Sequence, residues 1–208
     1  MPMTEYEREH YDKGVTLLAG IDEAGRGPLA GPVVACALIL PRSSEILGVD
    51  DSKKISQKRR ELLYDLIISE AIAVGIGNIS HDIIDEINIL RATHKAMAEA
   101  LKCLNPQPQH VLVDGYPAKG LSVPQTAIIK GDAKSYLIAA ASIVAKVTRD
   151  RIMLEYHELY PEYDFASNKG YGTKKHMIAI ENHGLSPIHR KSFTHRGSYE
   201  TCSSEKNK

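Results

Sequence analysis

The stretch LLAGIDEAGRGPLAGPVVACALIL (17–40) decides how the chain folds. Its ends, LLAGI (17–21) and PVVACALIL (32–40), are apolar and read as buried strands. Between them stand two adjacent acids, Asp22 and Glu23, then an arginine, three glycines and a proline, with a second proline, Pro32, opening the next strand. Glycine and proline cannot extend either strand, so the pattern predicts antiparallel strands near 16–23 and 31–40 joined by a glycine-rich bend. A simple turn would need far fewer special residues.

Working outward, Ser56 heads SQKRRELLYDLIISEA (56–71), where Leu62, Leu63, Leu66 and Ile67 recur at helical spacing, which predicts an amphipathic helix. AIAVGIGNIS (71–80) alternates and reads as a third strand. The segment 80–104 carries Ile84, Ile87, Leu90, Met97 and Leu101 at spacings of three and four, so one long helix or two are expected before Pro106 and Pro108. HVLVDGYP (110–117) is a short apolar run that ends in an acid and a turn, the pattern of a central parallel strand, and VPQTAIIKGD (123–132) repeats it more weakly. The alanine-rich segment 133–160 predicts a helix packed into the body of the fold. A glycine-bearing loop follows, then a helix with Thr173 as N-cap and Gly184 as its stop. Strands first, then strands alternating with helices, indicate an α/β fold with a mixed sheet of about five strands. The first fifteen residues read as a polar lead-in without periodicity, and the tail 198–208 as loose and polar.

Bulk properties bound the function. The 208 residues suit one large domain, and 43% hydrophobic with 25% charged residues excludes a disordered or fibrous chain. No apolar run is long enough to span a bilayer and the N-terminus is polar, so the expectation is a cytoplasmic protein with no membrane partner. Cys36, Cys103 and Cys202 are widely spaced and form no zinc or redox motif; Cys36 reads as a small buried side chain. The net charge is zero, with basic clusters in KKISQKRR (53–60) and HRKSFTHR (189–196). Such clusters suit a polyanion or an ordinary solvated face.

Four carboxylates resist a purely structural reading. Asp22 and Glu23 end the first strand, Asp114 ends HVLVD, and Asp132 follows Lys130 and Gly131 at the mouth of the alanine-rich helix. Each alone could serve as a cap or turn residue, Asp132 above all. Together, with no thiol or paired histidine nearby in sequence, they suit a hard cation such as Mg²⁺ or Mn²⁺.

GIDEAGRGPLAGPVVACALIL, DSKKIS, VLVDGYP, KGDAKSYLIAAASIVAKVTRD, KGYGTKKH and HRKSF occur in the order found in the bacterial type 2 ribonucleases H, and the resemblance covers about residues 17–195. It implies an RNase H-like fold over 16–197, with a small helical C-terminal extension that helps bind substrate (about 156–197). It also implies hydrolysis of the RNA strand of RNA–DNA hybrids and incision on the 5′ side of single ribonucleotides in duplex DNA, leaving a 3′-hydroxyl and a 5′-phosphate. Asp22, Glu23, Asp114 and Asp132 match the family's four acids, which hold two divalent ions. The resemblance assigns Gly25, Arg26 and Gly27 to the sugar 2′-hydroxyl and Tyr171 to stacking on the next sugar. Lys53, Lys146 and Arg149 are expected at phosphates, and Arg190, Lys191 and Ser192 at the backbone of the DNA strand. Asp150 is expected to support the metal site. His176 carries no metal-ligand spacing and is expected at the surface or in a cap. A monomer is the default, and no segment reads as a docking motif for a replication clamp.

Overall fold

In the computed structural model, which describes residues 3–50, 52 and 55–194, the glycine-rich bend connects β1 (Leu18–Ala24) to β2 (Val33–Ile39) as the sequence predicts. These strands pair antiparallel, with Asp22 opposite Cys36. β2 pairs antiparallel with β3 (Ala73–Ile79), while β1 pairs in parallel with β4 (His110–Asp114), which pairs in parallel with β5 (Gln125–Ile128). The sheet order is therefore β3-β2-β1-β4-β5. The strand that carries Asp22 and Glu23 lies beside the strand that carries Asp114.

Alternation along each strand feeds two cores. Leu18, Cys36, Leu38 and Leu112 face one side, beneath α5 (Tyr136–Leu159) and α2 (Gln57–Glu70). Ala19, Ile21, Ala35, Ala37 and Val111 face the other, beneath α4 (Ile89–Lys102), which follows the short α3 (His81–Ile87). Burial of α5 is nearly complete over its first ten residues, from Tyr136 to Ala145, matching its apolar composition. The expected helical segment 80–104 divides at Asn88, whose positive φ of 67° breaks the first helix and whose side chain caps the second by accepting from the Arg91 N–H.

Two expectations about helix faces change. On α2 only Leu63 and Ile67 are buried; Leu62 and Leu66 lie a residue away around the helix and stay about half exposed. On α4, Leu90 is exposed while Met97 and Leu101 are buried as expected, and they are joined by an unexpected stripe of Ala92, Ala96 and Ala100, four residues apart. Small residues are required there because α4 sits directly on the glycines of β3. A Cβ added to Gly77 would stand 1.9 Å from the Ala96 carbonyl oxygen.

The polar lead-in is also structured. It forms α1 (Glu5–Asp12), begun by a capping box between Thr4 and Glu7. Glu7 is buried and accepts from Ser135 Oγ at 2.5 Å and from the Leu137 N–H at 3.1 Å, which ties α1 to the start of α5. A polar helix with a buried carboxylate leaves no hydrophobic period to read.

After α5 come α6 (Phe165–Asn168), α7 (Lys174–His183) and α8 (Lys191–Thr194); α6 and α7 contribute to a third cluster built on Tyr163, Phe165, Ile180 and Ile188, while Phe193 of α8 packs against the second core. Thr173 caps α7 and Gly184 ends it, as expected. Ala30 in the bend forms a β-bridge with His189, so this C-terminal part is bound to the β1–β2 connection. Among the described residues no helix is long and apolar enough to cross a membrane.

Candidate active site

At the C-terminal ends of β1 and β4 a cleft of about 530 Å³ opens, lined by Asp22, Glu23 and Asp114. Neighbouring parallel strands bring the ends of distant sequence segments together, and this is where α/β sheets offer a crevice. Asp22 and Glu23 point to opposite faces of β1 in the alternation, yet both reach the cleft because the strand ends there and the chain turns at Gly25. Gly25 has φ +97°, and a Cβ there would meet Arg149 Nε at 2.1 Å, so only glycine fits.

The acids are held differently. Asp22 Oδ1 accepts from the Glu23 N–H at 2.7 Å, and Asp114 Oδ1 accepts from the Gly131 N–H at 2.6 Å. Burial, then the charges of Glu23 and Asp114, push the Asp22 carboxyl well above the usual carboxylate range, against hydrogen bonds from the Glu23 N–H and Ser142. Glu23 pairs with Arg26 at 3.2 Å, a contact on the exposed side of the bend. Asp132 is buried in the 3₁₀ turn Gly131–Ala133, joined to Asp114 through the Gly131 N–H, and is not part of the cleft lining. Among the described residues no three acid, histidine or cysteine side chains already stand as a ready ligand set. Three oxygen-bearing acids pressed together, one of them destabilised as an anion by its neighbours, nevertheless form a donor set that a hard divalent cation would satisfy.

The cleft is lined as well by Ala24, Gly25, Arg26, Gly27 and Tyr171, with Ser52, Ser142, Lys146, Arg149, Ile89 and Phe193 completing it. Arg26 and Gly27 are exposed, and Tyr171 is 44% exposed with its ring 3.7 Å from where a Gly27 Cβ would stand. The bend and the ring are therefore both open to the cleft. Lys146 donates to Asp150 at 2.6 Å, and Asp150 also stands 3.6 Å from Arg60, so the described ion pairs of Asp150 go to these two cations.

The matching profile of known proteins is that of ribonuclease HII, which spans residues 19–202. The chain belongs to the ribonuclease HII family. Ribonuclease HII of Listeria monocytogenes is 53% identical over 192 residues, 92% of this chain and 73% of that protein. The Clostridioides difficile ribonuclease HII is 54% identical over 188 residues, 90% of this chain and 74% of that protein. Among solved structures, ribonuclease H2 from Pyrococcus horikoshii OT3 superposes with a TM-score of 0.73 at 30% identity, covering 85% of this chain and 93% of that one. The RNase HII in the PCNA:RNase HII complex from Archaeoglobus fulgidus gives 0.72 at 30% identity, covering 88% and 97%. Bst-RNase HIII, solved with Mn²⁺, shares the fold at 15% identity with a TM-score of 0.65, covering 86% and 67%. Family membership makes the chain a ribonuclease H and its fold RNase H-like.

Within this ribonuclease HII fold, several residues expected at the substrate make contacts within the protein itself. Arg149 and Arg190 are buried, at 1% and 0% exposure, and all their described bonds go to backbone carbonyls. Arg149 still lines the cleft, whereas Arg190 is not part of its lining; the motif resemblance gave their positions but not their depth. Lys191 and Ser192 are exposed, and their N–H groups donate to Asp85 at 2.8 and 2.9 Å, which starts α8 with a carboxylate cap. Lys53 lies outside the described residues. His176 is fully buried, contrary to the surface or capping role expected of it. Ser142, Phe193 and Asp85 went unread because one serine in an alanine run, one phenylalanine and one helix acid carry no sequence signal of their own.

Proposed function

We propose that this ribonuclease HII chain cuts the RNA strand of RNA–DNA hybrids and incises duplex DNA on the 5′ side of a single ribonucleotide, releasing a 3′-hydroxyl and a 5′-phosphate. The observation that carries this reading is the convergence of Asp22, Glu23 and Asp114 on one cleft that Gly25–Gly27 and Tyr171 also line. Exposed main chain at Gly27 can hydrogen-bond a 2′-hydroxyl that DNA lacks, and the Tyr171 ring can stack on the adjoining sugar.

Asp22, Glu23 and Asp114, joined by Asp132, are the proposed ligands of two Mg²⁺ or Mn²⁺ ions. When bound, such ions lower the pKa of an attacking water and neutralise charge on the leaving oxygen. The chain's own work is to aim. The Gly131 N–H fixes Asp114, the Glu23 N–H fixes Asp22, and Ser142 adds a hydrogen bond to Asp22. Arg26, Lys146, Lys191 and Ser192 are the proposed phosphate contacts on the described surface, and Lys53 remains a proposed one. The proposed working form is a cytoplasmic monomer acting in ribonucleotide and RNA primer removal.

The test is cleavage of an end-labelled DNA duplex with one ribonucleotide, in Mg²⁺, Mn²⁺ or EDTA, beside an all-DNA control. We expect one metal-dependent cut 5′ to the ribonucleotide, and loss of at least a hundredfold in rate for Asp22→Asn, on the order expected when a charge-stabilising group is removed. Full activity of Asp22→Asn, or cutting in EDTA, would refute the assignment.

A further inference from the structure

The bend that lines the cleft is held by two buried cations, of which Arg149 also reaches the cleft lining. Arg190 donates to the carbonyls of Gly25 at 2.6 Å, Gly31 at 2.9 Å, Pro32 at 3.0 Å and Arg26 at 3.1 Å. Arg149 donates to Pro32 at 2.9 Å, Ala30 at 3.1 Å and Lys169 at 3.0 Å. Neither forms an ion pair with a carboxylate among the described residues, and burial pushes their pKa values down to about 9 and about 10. Burying a guanidinium without a counter-charge is costly, and a tight turn with one hydrogen-bonded cation would suffice to hold a hairpin. Here five carbonyls of one bend and one carbonyl of the Tyr171 loop are gathered on the inner side. Lys169 is two residues from Tyr171, so Arg149 links the bend to the loop that carries the ring.

We propose that Arg190 and Arg149 are positioning residues that set the discrimination for a single ribonucleotide, an inference that rests on the function proposed above. Their bonds turn the carbonyls of Gly25 and Arg26 inward, which fixes the outward face of Gly25–Gly27, and they lock the distance between that face and Tyr171. A guanidinium is needed because its planar fork reaches several acceptors at once, which an ammonium cannot do. A continuous hybrid offers a 2′-hydroxyl at every register, so a displaced reader still finds one. A lone ribonucleotide offers one hydroxyl, and misplacement by a fraction of an ångström is then felt in full.

The experiment compares wild type, Arg190→Lys and Arg149→Lys on a duplex with one ribonucleotide and on a continuous RNA–DNA hybrid, with kcat, KM and melting temperature for each. Ile180→Val is the control, since it loosens the third cluster without touching a loop carbonyl. For Arg190→Lys we expect kcat/KM on the single-ribonucleotide duplex to fall roughly ten- to a hundredfold and to fall at least several times less on the hybrid. Ile180→Val should leave the ratio of the two substrates unchanged. Equal losses on both substrates for the Lys variants, tracking melting temperature as in the control, would overturn the proposal. If Arg190→Lys does not fold, Arg149→Lys decides by the same ratio. Wild-type protein that cuts the hybrid but not the lone ribonucleotide would overturn the function on which this rests, a result separate from any behaviour of the variants.

Discussion

His176 and His189 show how single residues hold the Tyr171 loop. The Tyr171 carbonyl can only accept, so His176 Nδ1 carries a hydrogen toward it at 2.8 Å. The Ser186 N–H can only donate, so His189 Nδ1 accepts it at 2.8 Å, and His189 Nε2 must then donate to His176 Nε2 at 3.0 Å. The chain closes only if both rings are neutral. Burial pushes His189 down to about 4 and lowers His176 as well. With folded values below the unfolded value near 6.5, the unfolded chain takes up protons first. The stability these rings confer is therefore complete above about pH 6.5 and is lost as pH falls toward 4, by at most about 3 kcal/mol for His189. Melting curves between pH 7.5 and 4.5 should fall steeply for wild type and less steeply for His189→Gln. Equal slopes would refute this.

At the scale of elements, α4 sits so tightly on β3 that added methyl groups have nowhere to go. A Cβ on Gly77 would meet backbone, the Ala96 oxygen, rather than a side chain that could swing aside. Gly77→Ala should cost about 1–3 kcal/mol, read as a lower midpoint in urea with little change in slope; an unchanged midpoint would show that α4 can lift freely. This contact also marks what a sequence can tell. The strands, the Ser56 and Thr173 caps and the Gly184 stop were readable because each rests on a local rule: alternation, a side-chain oxygen, a residue with positive φ. The acids at strand ends were readable for the same reason. The alanine stripe of α4 was not, since its meaning lies in the glycines of another strand. The depth of Arg149 and Arg190 was hidden too, because a buried arginine and a surface arginine are spelled alike.

The whole molecule is closed at its N-terminal end by α1. Glu7 spans from the first helix to the start of α5, the helix that carries Ser142, Lys146 and Arg149. Glu7→Ala leaves the Ser135 hydroxyl and the Leu137 N–H without this acceptor in a buried place, at a cost of about 2–3 kcal/mol. A drop of several degrees in melting temperature is expected, with the substrate ratio unchanged because Glu7 holds the start of α5, while the α5 residues that line the cleft begin further along the helix, at Ser142. A change in that ratio would mean that α1 reaches the site.

The parallel pairing of β1 with β4 carries a further consequence for the order in which the protein comes into being. The β1–β2–β3 meander is local and can form as soon as it leaves the ribosome, but it brings only Asp22 and Glu23. Asp114 arrives when β4 docks against the far edge of β1, after α3 and α4 have been made. Non-local pairing of this kind comes late, since the intervening loop must be closed first. A nascent or half-folded chain therefore has two carboxylates and no third. On the proposed assignment of the metal ligands, a chain assembled in this order has no complete site until β4 has docked.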